Sequence, residues 1–514
     1  MNREPIHILR QAKKGLSILV ILAIICEFIF FPTLANFYGC LMTLISYSIF
    51  SYFLKEKYIR YNPFAFCMYL SMFMYRFLPL IATLAEGKPI TYGFERPYDT
   101  FMYEIILFSI SSLAFYLACK KTTKNNLITN SLYQIKFFEI SPAIIWSLGL
   151  IGLAIRLYNF GAGDVEYGDV GGKFLSGLNY LMYAPLILIF PKLINIKYSN
   201  KKYIWFYTTL IFFINIASNS RQSIITPIGI IILLAILYIV SNNYKLTEFL
   251  SPLKIFFLVV FSISLISFLS MISTAMLFTR GIRADVSRLE LFQETIEVMQ
   301  NPELMDRLAE AAEDKRGSLI SYQEGWTEDY VDNFMLARYA NMRITDQTLY
   351  YAEQKGYGNR QMQILLWESL VATLPTPILR YLNIKLDKGK MQFSRGDFLY
   401  GSGFGGYRVT SHVGDGLATF SYWYFLIQFV VFFIVFKLLN TFVIIRKNQI
   451  IYAPYALMNI FIFLGMFRNA IGITADITFI IRGFLQGIVT YLILFYFVKI
   501  ILKVLIPKDS TYSH

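Results

Sequence analysis

The sequence predicts an all-α polytopic membrane protein, with about twelve transmembrane helices and one large external helical loop between the ninth and tenth. Three observations predict it. Hydrophobic residues make up 56% of the 514 positions and charged residues only 16%, where a soluble domain carries about 25% charged residues. Mean hydropathy is +0.51. Apolar runs approach the roughly 20 residues that a helix needs to cross a bilayer, and they recur along the chain. Finally, lysine and arginine alternate with those runs instead of forming one patch.

Spans are expected near 15–31, 33–54, 63–84, 98–119, 141–160, 174–191, 203–218, 222–240, 254–278, 416–438, 450–468 and 478–501. Arg10, Lys13 and Lys14 precede the first run and no small-residue cleavage site follows it, so that segment is read as a retained helix. Pro32 divides the first two spans as a tight hairpin, and 218–222 divides the seventh from the eighth. With the N-terminus in the cytoplasm, the inside loops carry most of the bases. Examples are Lys55, Lys57 and Arg60; Lys120, Lys121 and Lys136; Lys192, Lys197, Lys201 and Lys202; and Arg446 and Lys447. The short outside connections hold only Lys88, Arg96, Lys173, Arg221 and Arg468. Both termini are then cytoplasmic. Three segments follow: a bundle over 1–278, the external loop over 279–412, and the last three spans with a cytoplasmic tail over 413–514.

The external loop is too long for a simple connector. Helical spacing runs from Asp285 to Gln300, from Pro302 onward, from Thr327 to Gln354 and from Gln361 to Leu374, and the stretch 375–411 reads as irregular. Its charge is polarised. Acids dominate from Asp285 to Asp332. Bases dominate from Arg338 onward and include Arg343, Arg360, Arg380, Arg395 and Arg408. The basic half suits anionic headgroups, at about 1 kcal/mol per charge near a surface, or a phosphorylated substrate.

The net charge of +14 follows topology, so nucleic acid is not an expected partner. Cys26, Cys40, Cys67 and Cys119 lack metal-site spacing. Gly401, Gly403, Gly405 and Gly406 follow no strand and do not make a nucleotide fingerprint. No cofactor or metal is expected.

Of the three histidines, His7 and His514 lie at the chain ends. His412 closes the external loop in Ser411-His412-Val413-Gly414-Asp415-Gly416. An imidazole titrates near neutral pH and suits proton transfer. Asp415 shares a helical face with it if the segment is already turning, where it orients the imidazole or acts as base itself. Its blander use is to cap the helix. Arg221, Arg280, Arg283 and Arg468 with Asn469 stand at the outer ends of spans, and Arg482 lies inside the last one. Intramembrane charge is costly and tends to face a polar cavity, and the guanidinium fork matches phosphate oxygens. An arginine at a helix end also commonly snorkels to headgroups.

The span count, the single large loop before the last three spans, Ser220-Arg221 at a helix start, Leu374-Pro375-Thr376-Pro377-Ile378-Leu379, the run 411–416 and Arg468-Asn469 together resemble the Wzy-type O-antigen and capsular polysaccharide polymerases. Arg395 and Gly406 are similar to an arginine–glycine pattern in outer loops of such proteins. Where the family often has glutamate in the 411–416 run, this chain has Asp415. The resemblance implies a metal-independent, inverting glycosyltransferase of the bacterial plasma membrane. It implies transfer of a growing glycan from undecaprenyl pyrophosphate to another lipid-linked repeat unit, with a chain-length regulator and a flippase as partner proteins. Arg221, Arg280, Arg283, Arg395, Arg408, Arg468 and Asn469 would then hold pyrophosphate or glycan, and His412 and Asp415 would be catalytic. An O-antigen ligase uses the same donor and shares this logic. A flippase needs no long outside loop and fits less well.

Overall fold

A computed structural model describes residues 7–120, 126–161, 175–217, 221–244, 288–305, 320–327, 329–333, 336–374, 376–384, 393–403, 408–447, 449–467 and 472–505. It also describes isolated positions between 251 and 279, and residues 307 and 406. The helices are α1 (His7–Phe30), α2 (Leu34–Phe53), α3 (Glu56–Tyr61), α4 (Pro63–Ala85), α5 (Pro97–Cys119), α6 (Leu127–Gln134) and α7 (Pro142–Gly161). Two 3-10 stretches follow, Asn179–Ile189 and Pro191–Ile194, then α8 (Lys201–Ala217), α9 (Arg221–Asn242) and α10 (Arg288–Gln300). The later part holds α11 (Ala337–Ala340), α12 (Arg343–Lys355), α13 (Arg360–Ala372), α14 (Thr376–Tyr381), α15 (Arg395–Tyr400), α16 (His412–Phe420) and α17 (Trp423–Leu439). An antiparallel hairpin, β1 (Val443–Arg446) with β2 (Gln449–Tyr452), precedes α18 (Pro454–Met458), α19 (Ile460–Leu464), α20 (Ile473–Thr478), a π-helical turn at Phe479–Phe484, and α21 (Leu485–Leu505).

The fold is that of a helical membrane protein. Among the described residues, seven helices are long and apolar enough to cross a membrane: Leu34–Phe53, Pro63–Ala85, Pro97–Cys119, Pro142–Asn159, Gln222–Asn242, Trp423–Phe442 and Ile473–Leu505. Local chemistry sets their ends. Thr33 caps α2 by accepting the Asn36 N–H at 3.2 Å, and α4 and α5 open on proline, whose missing N–H costs nothing there.

Five expected elements differ, among them the stretch 375–411, expected to be irregular, which holds the short helices α14 and α15. The expected span at 174–191 is an eleven-residue 3-10 stretch with Pro185 inside it, which interrupts the α-helical ladder. The expected span at 450–468 begins as a hairpin strand and continues in two five-residue helices. The expected span at 416–438 starts later, at Trp423, because Ser421 at φ +52° ends a separate short helix. The helix expected over 327–354 is reduced to α11 and α12, with irregular backbone before them. Most of 254–278 lies outside the described residues.

Packing divides the chain into two compact units. The first combines residues 1–121, 306–440 and 463–483. In it α5 packs on α2 and α17, and α12 packs on α16. Its aromatic core includes Phe50 stacked on Phe73 at 4.1 Å. The polar segments after residue 320 are bound to the 86–96 connection. Arg343 donates to the carbonyls of Gly93 (2.9 Å), Asp329 (2.6 Å) and Ile320 (2.9 Å). Asp346, fully buried, accepts the N–H groups of Glu95 (2.8 Å) and Arg96 (3.0 Å) and the Thr100 hydroxyl (3.0 Å). A loop carboxylate thus satisfies open amides at the N-terminus of the spanning helix α5.

The second unit combines residues 122–305, 441–462 and 484–514. There α7 packs on the Asn179–Ile189 stretch. Gly149 and Gly152 allow the approach, since a side chain at Gly149 would meet the Pro185 ring and one at Gly152 the Met182 backbone. Tyr207 ties the pair by donating to the Gly149 (2.8 Å) and Met182 (3.0 Å) carbonyls.

Candidate functional site

The run 411–416 folds into the buried helix α16 for reasons visible in its residues. Ser411 caps it, accepting the Gly414 N–H at 2.9 Å. Gly414 faces Thr348 of α12, where a β-carbon would stand 2.5 Å from the Thr348 methyl. A β-carbon on Gly416 would run into the Tyr424 ring of α17. The two glycines therefore let α16 pack closely between α12 and α17, and every side chain from His412 to Thr419 is buried.

His412 has both ring nitrogens engaged. Nδ1 lies 2.6 Å from the Tyr424 hydroxyl and Nε2 lies 2.9 Å from Asp476 Oδ2. Gln428 donates its side-chain amide to the same carboxylate oxygen at 2.9 Å. An ionised carboxylate only accepts, so toward Asp476 it is Nε2 that donates, and the Tyr424 hydroxyl completes the contacts of the ring at Nδ1. Phe467 stacks on the imidazole with centroids 5.2 Å apart and planes 19° apart.

Asp415 does not orient His412. Contrary to the expectation from the sequence, the two residues share α16 but the carboxylate beside the imidazole comes from α20, as Asp476. Asp415 pairs with Arg395, whose guanidinium nitrogen is 2.6 Å from Asp415 Oδ2. Arg395 opens α15, which is held by a capping box between Ser394 and Asp397. Gly472, at the start of α20, lies against this pair, and a β-carbon there would meet the Asp415 carboxylate. Asp415 is fully buried, and its Oδ1 has no hydrogen-bond partner among the described residues; the same is true of Arg395 Nη1. Burial raises the Asp415 carboxyl above its ordinary range, against the pull of Arg395 and His412.

Arg408 is placed elsewhere. Its guanidinium lies 4.5 Å from the Trp326 ring centroid and its backbone N–H donates to Asp397. No described contact brings it to His412 or Asp415. Its own carbonyl lies against Gly396, a position where any side chain would collide. Arg221 opens α9, but its side chain, together with Arg280, Arg283, Arg468 and Asn469, lies outside the described residues.

The sequence reading missed Asp476, Tyr424 and Gln428, and also an ion pair inside the spans. Arg76 of α4 and Glu104 of α5 meet at 2.6 Å with both side chains buried. Arg76 further donates to the Glu104 carbonyl (2.9 Å) and the Met72 carbonyl (2.6 Å), and Thr345 donates to Glu104 at 3.0 Å. The Arg76 guanidinium is 5.4 Å from the Phe467 ring that also stacks on His412. The signal was present: Arg76, Glu104 and Asp476 are charges within apolar runs, where charge is costly.

Chemically, the first unit brings one imidazole, a phenol, two carboxylates and an arginine together within or beside α16, with a second ion pair linked through Phe467. Such a set can accept a proton, hold it, and balance a developing charge. Comparison with protein-family models, with characterised proteins and with solved structures finds no match for this chain.

Proposed function

We propose that the protein is a polysaccharide polymerase of the bacterial plasma membrane, with twelve spans and cytoplasmic termini. It acts on undecaprenyl-pyrophosphate-linked oligosaccharides at the outer face. A hydroxyl of the acceptor repeat unit attacks the anomeric carbon of the growing glycan. The bond from that carbon to pyrophosphate breaks, undecaprenyl pyrophosphate leaves, and the hydroxyl proton passes to a base on the protein. Attack opposite the leaving group inverts the anomeric carbon. No metal or cofactor is required in this reading, because arginines balance the charge on the departing pyrophosphate. Arg221, Arg280, Arg283, Arg468 and Asn469 are the proposed pyrophosphate contacts, and Arg408 is a proposed glycan contact.

The observation that carries the reading is Asp415 itself. It is a buried carboxylate with one oxygen lacking a donor among the described residues, paired on its other side with Arg395, and it lies just ahead of a spanning helix. Two features support Asp415 over His412 as the base. Both His412 nitrogens are occupied, and burial lifts the Asp415 carboxyl toward the pH at which a general base works best. His412, held by Asp476 and Tyr424, then supports α16 and fixes its position in the site. Arg395 keeps Asp415 ionised between turnovers.

The test is extension in vitro of a lipid-pyrophosphate-linked repeat by the wild type and by Asp415→Asn and His412→Asn. Asp415→Asn should slow extension by about 10²- to 10⁴-fold, the usual contribution of a general base, and His412→Asn by less. Wild-type activity should fall on the acid side at a pH above the ordinary carboxylate range, because the raised pKa depletes the basic form there. A folded Asp415→Asn protein that extends at the full rate would sink the assignment. Transfer to a lipid A-core acceptor in place of a repeat unit would favour the ligase.

A further inference from the structure

We infer that α13 and α14 form an interfacial element seated on the outer leaflet of the bilayer, and that the lipid headgroup and upper acyl layer occupies their exposed face. The face is defined by helical spacing. Met362, Leu365 and Leu366 of α13 point inward and are buried. Arg360, Ile364 and Trp367, spaced by four and three residues, are exposed, and Trp367 is 69% exposed. At the end of α14 Tyr381 is 88% exposed and Leu382 follows it outward. An exposed tryptophan and tyrosine beside isoleucine and leucine make a larger apolar face than a water-facing helix needs.

Three observations choose lipid as the occupant. First, α13 is fastened to α16, the short helix just ahead of a spanning helix. The Gly358 and Asn359 N–H groups donate to the Leu417 (3.1 Å) and Ala418 (2.7 Å) carbonyls of α16, and the Gln363 amide donates to the Thr419 carbonyl at 3.1 Å. Tyr422 and Trp423 follow at once, both largely exposed, at the point where α17 becomes long and apolar enough to cross the membrane. Exposed aromatics at that position form the belt that sits at the headgroup level, so α13 starts at the same depth. Second, α17 exposes residues of the same kind, Trp423, Leu426 and Val430, as a span does on the side it presents to lipid. Third, Arg360 and Arg380 are exposed on these helices and suit the phosphates of anionic headgroups. With Glu368 the only acid on them, the two helices carry a small positive excess, and exposed aromatic and aliphatic residues beside those arginines suit an in-plane interfacial element.

The seat has a structural consequence. α13 packs on α15, α16 and α20, the elements that carry Arg395, His412 with Asp415, and Asp476. Lipid contact at Trp367 would therefore fix the depth of that cluster relative to the headgroups. The membrane seat itself stands whether or not the proposed reaction is right.

The experiment uses the full chain in nanodiscs of phosphatidylcholine and phosphatidylglycerol, with and without bromine on the acyl chains. Emission is compared for the wild type, Trp367→Phe and Trp423→Phe, so that the contribution of each tryptophan is obtained by difference. Bromolipid should quench the Trp367 contribution to an extent comparable with that of Trp423, and aqueous iodide should quench neither well. A spin label at Ile364→Cys should be relaxed more by oxygen than by a water-soluble nickel chelate. If iodide quenches Trp367 and bromolipid does not, the face is in water and the inference falls. If neither quenches it while the label is also inaccessible, a protein covers the face and the inference falls equally.

Discussion

At the scale of single residues, the glycines of the 411–416 run carry as much of the site as the groups that do chemistry. His412 reaches Asp476, and Asp415 reaches Arg395, because α16 is pressed between α12 and α17 with no side chain at 414 or 416. Gly416→Ala would drive a methyl into the Tyr424 ring and displace the hydroxyl that binds His412 Nδ1. Overpacking of this kind typically costs about 1–3 kcal/mol. Gly416→Ala should therefore melt at a lower temperature than the wild type in detergent, while Gly15→Ala, where nothing lies within 4 Å, should not. Equal melting temperatures for the two variants would show that α16 is looser than its packing implies. Histidine and aspartate at this boundary were legible from the sequence, because polar residues closing a long loop stand out against apolar runs. Their true partners were not legible, because Asp476 lies 64 residues further on and nothing in local spacing connects the two.

At the scale of elements, the junction between α12 and α5 has a definite pH signature. Asp346 is removed from water, and burial pushes its carboxyl from 3.8 up to about 6 in spite of the donors around it. A carboxyl raised in the folded state binds its proton more tightly there than when unfolded. The associated stabilisation is complete below about pH 4 and is lost as pH rises through about 6. Between those two values the carboxyl's protonation is linked to about 3 kcal/mol of stability. Asp346→Asn removes the titration. The difference in stability between wild type and Asp346→Asn should therefore change by up to that amount between pH 4 and pH 7, with the wild type losing ground as pH rises. A difference that is flat with pH would mean that Asp346 is better solvated than its burial indicates. The helix α12 was partly legible through its amphipathic spacing. That its buried aspartate would satisfy amides at the start of a spanning helix was not, since the two segments are about 250 positions apart. The failed spans have local causes: Pro185 inside one run, and a hairpin followed by Pro454 in the other. In both cases hydrophobicity was read correctly and backbone geometry was not, because apolar content alone does not distinguish a helix from a buried 3-10 turn or strand.

At the scale of the whole molecule, each compact unit is assembled from discontinuous segments. The first unit compensates buried charge in two ways, by ion pairs, Arg76 with Glu104 and Arg395 with Asp415, and by hydrogen bonds from amides, as at Asp346. The topology read from the distribution of lysine and arginine has a direct test. A reporter active only in the cytoplasm should work when fused after Leu505, and one active only outside should work when inserted at the exposed turn around Gly356. The reverse pattern at either position would overturn the orientation and, with it, the outer-face location of Asp415.

The sequence by itself determined that this chain lives in a membrane, which runs are apolar, where the polar loop lies, and that His412, Asp415 and Arg395 are unusual. Those properties depend on composition and on residues close together in the chain, because transfer to lipid acts on each segment separately. Only the tertiary structure decided which charges meet. Packing paired Asp415 with Arg395 and His412 with Asp476, matched Arg76 to Glu104, and turned α13 so that Trp367 faces outward. A buried charge must find a counter-charge or hydrogen-bond donors wherever the fold brings them within reach, and those partners are fixed by how helices pack, not by their order along the chain.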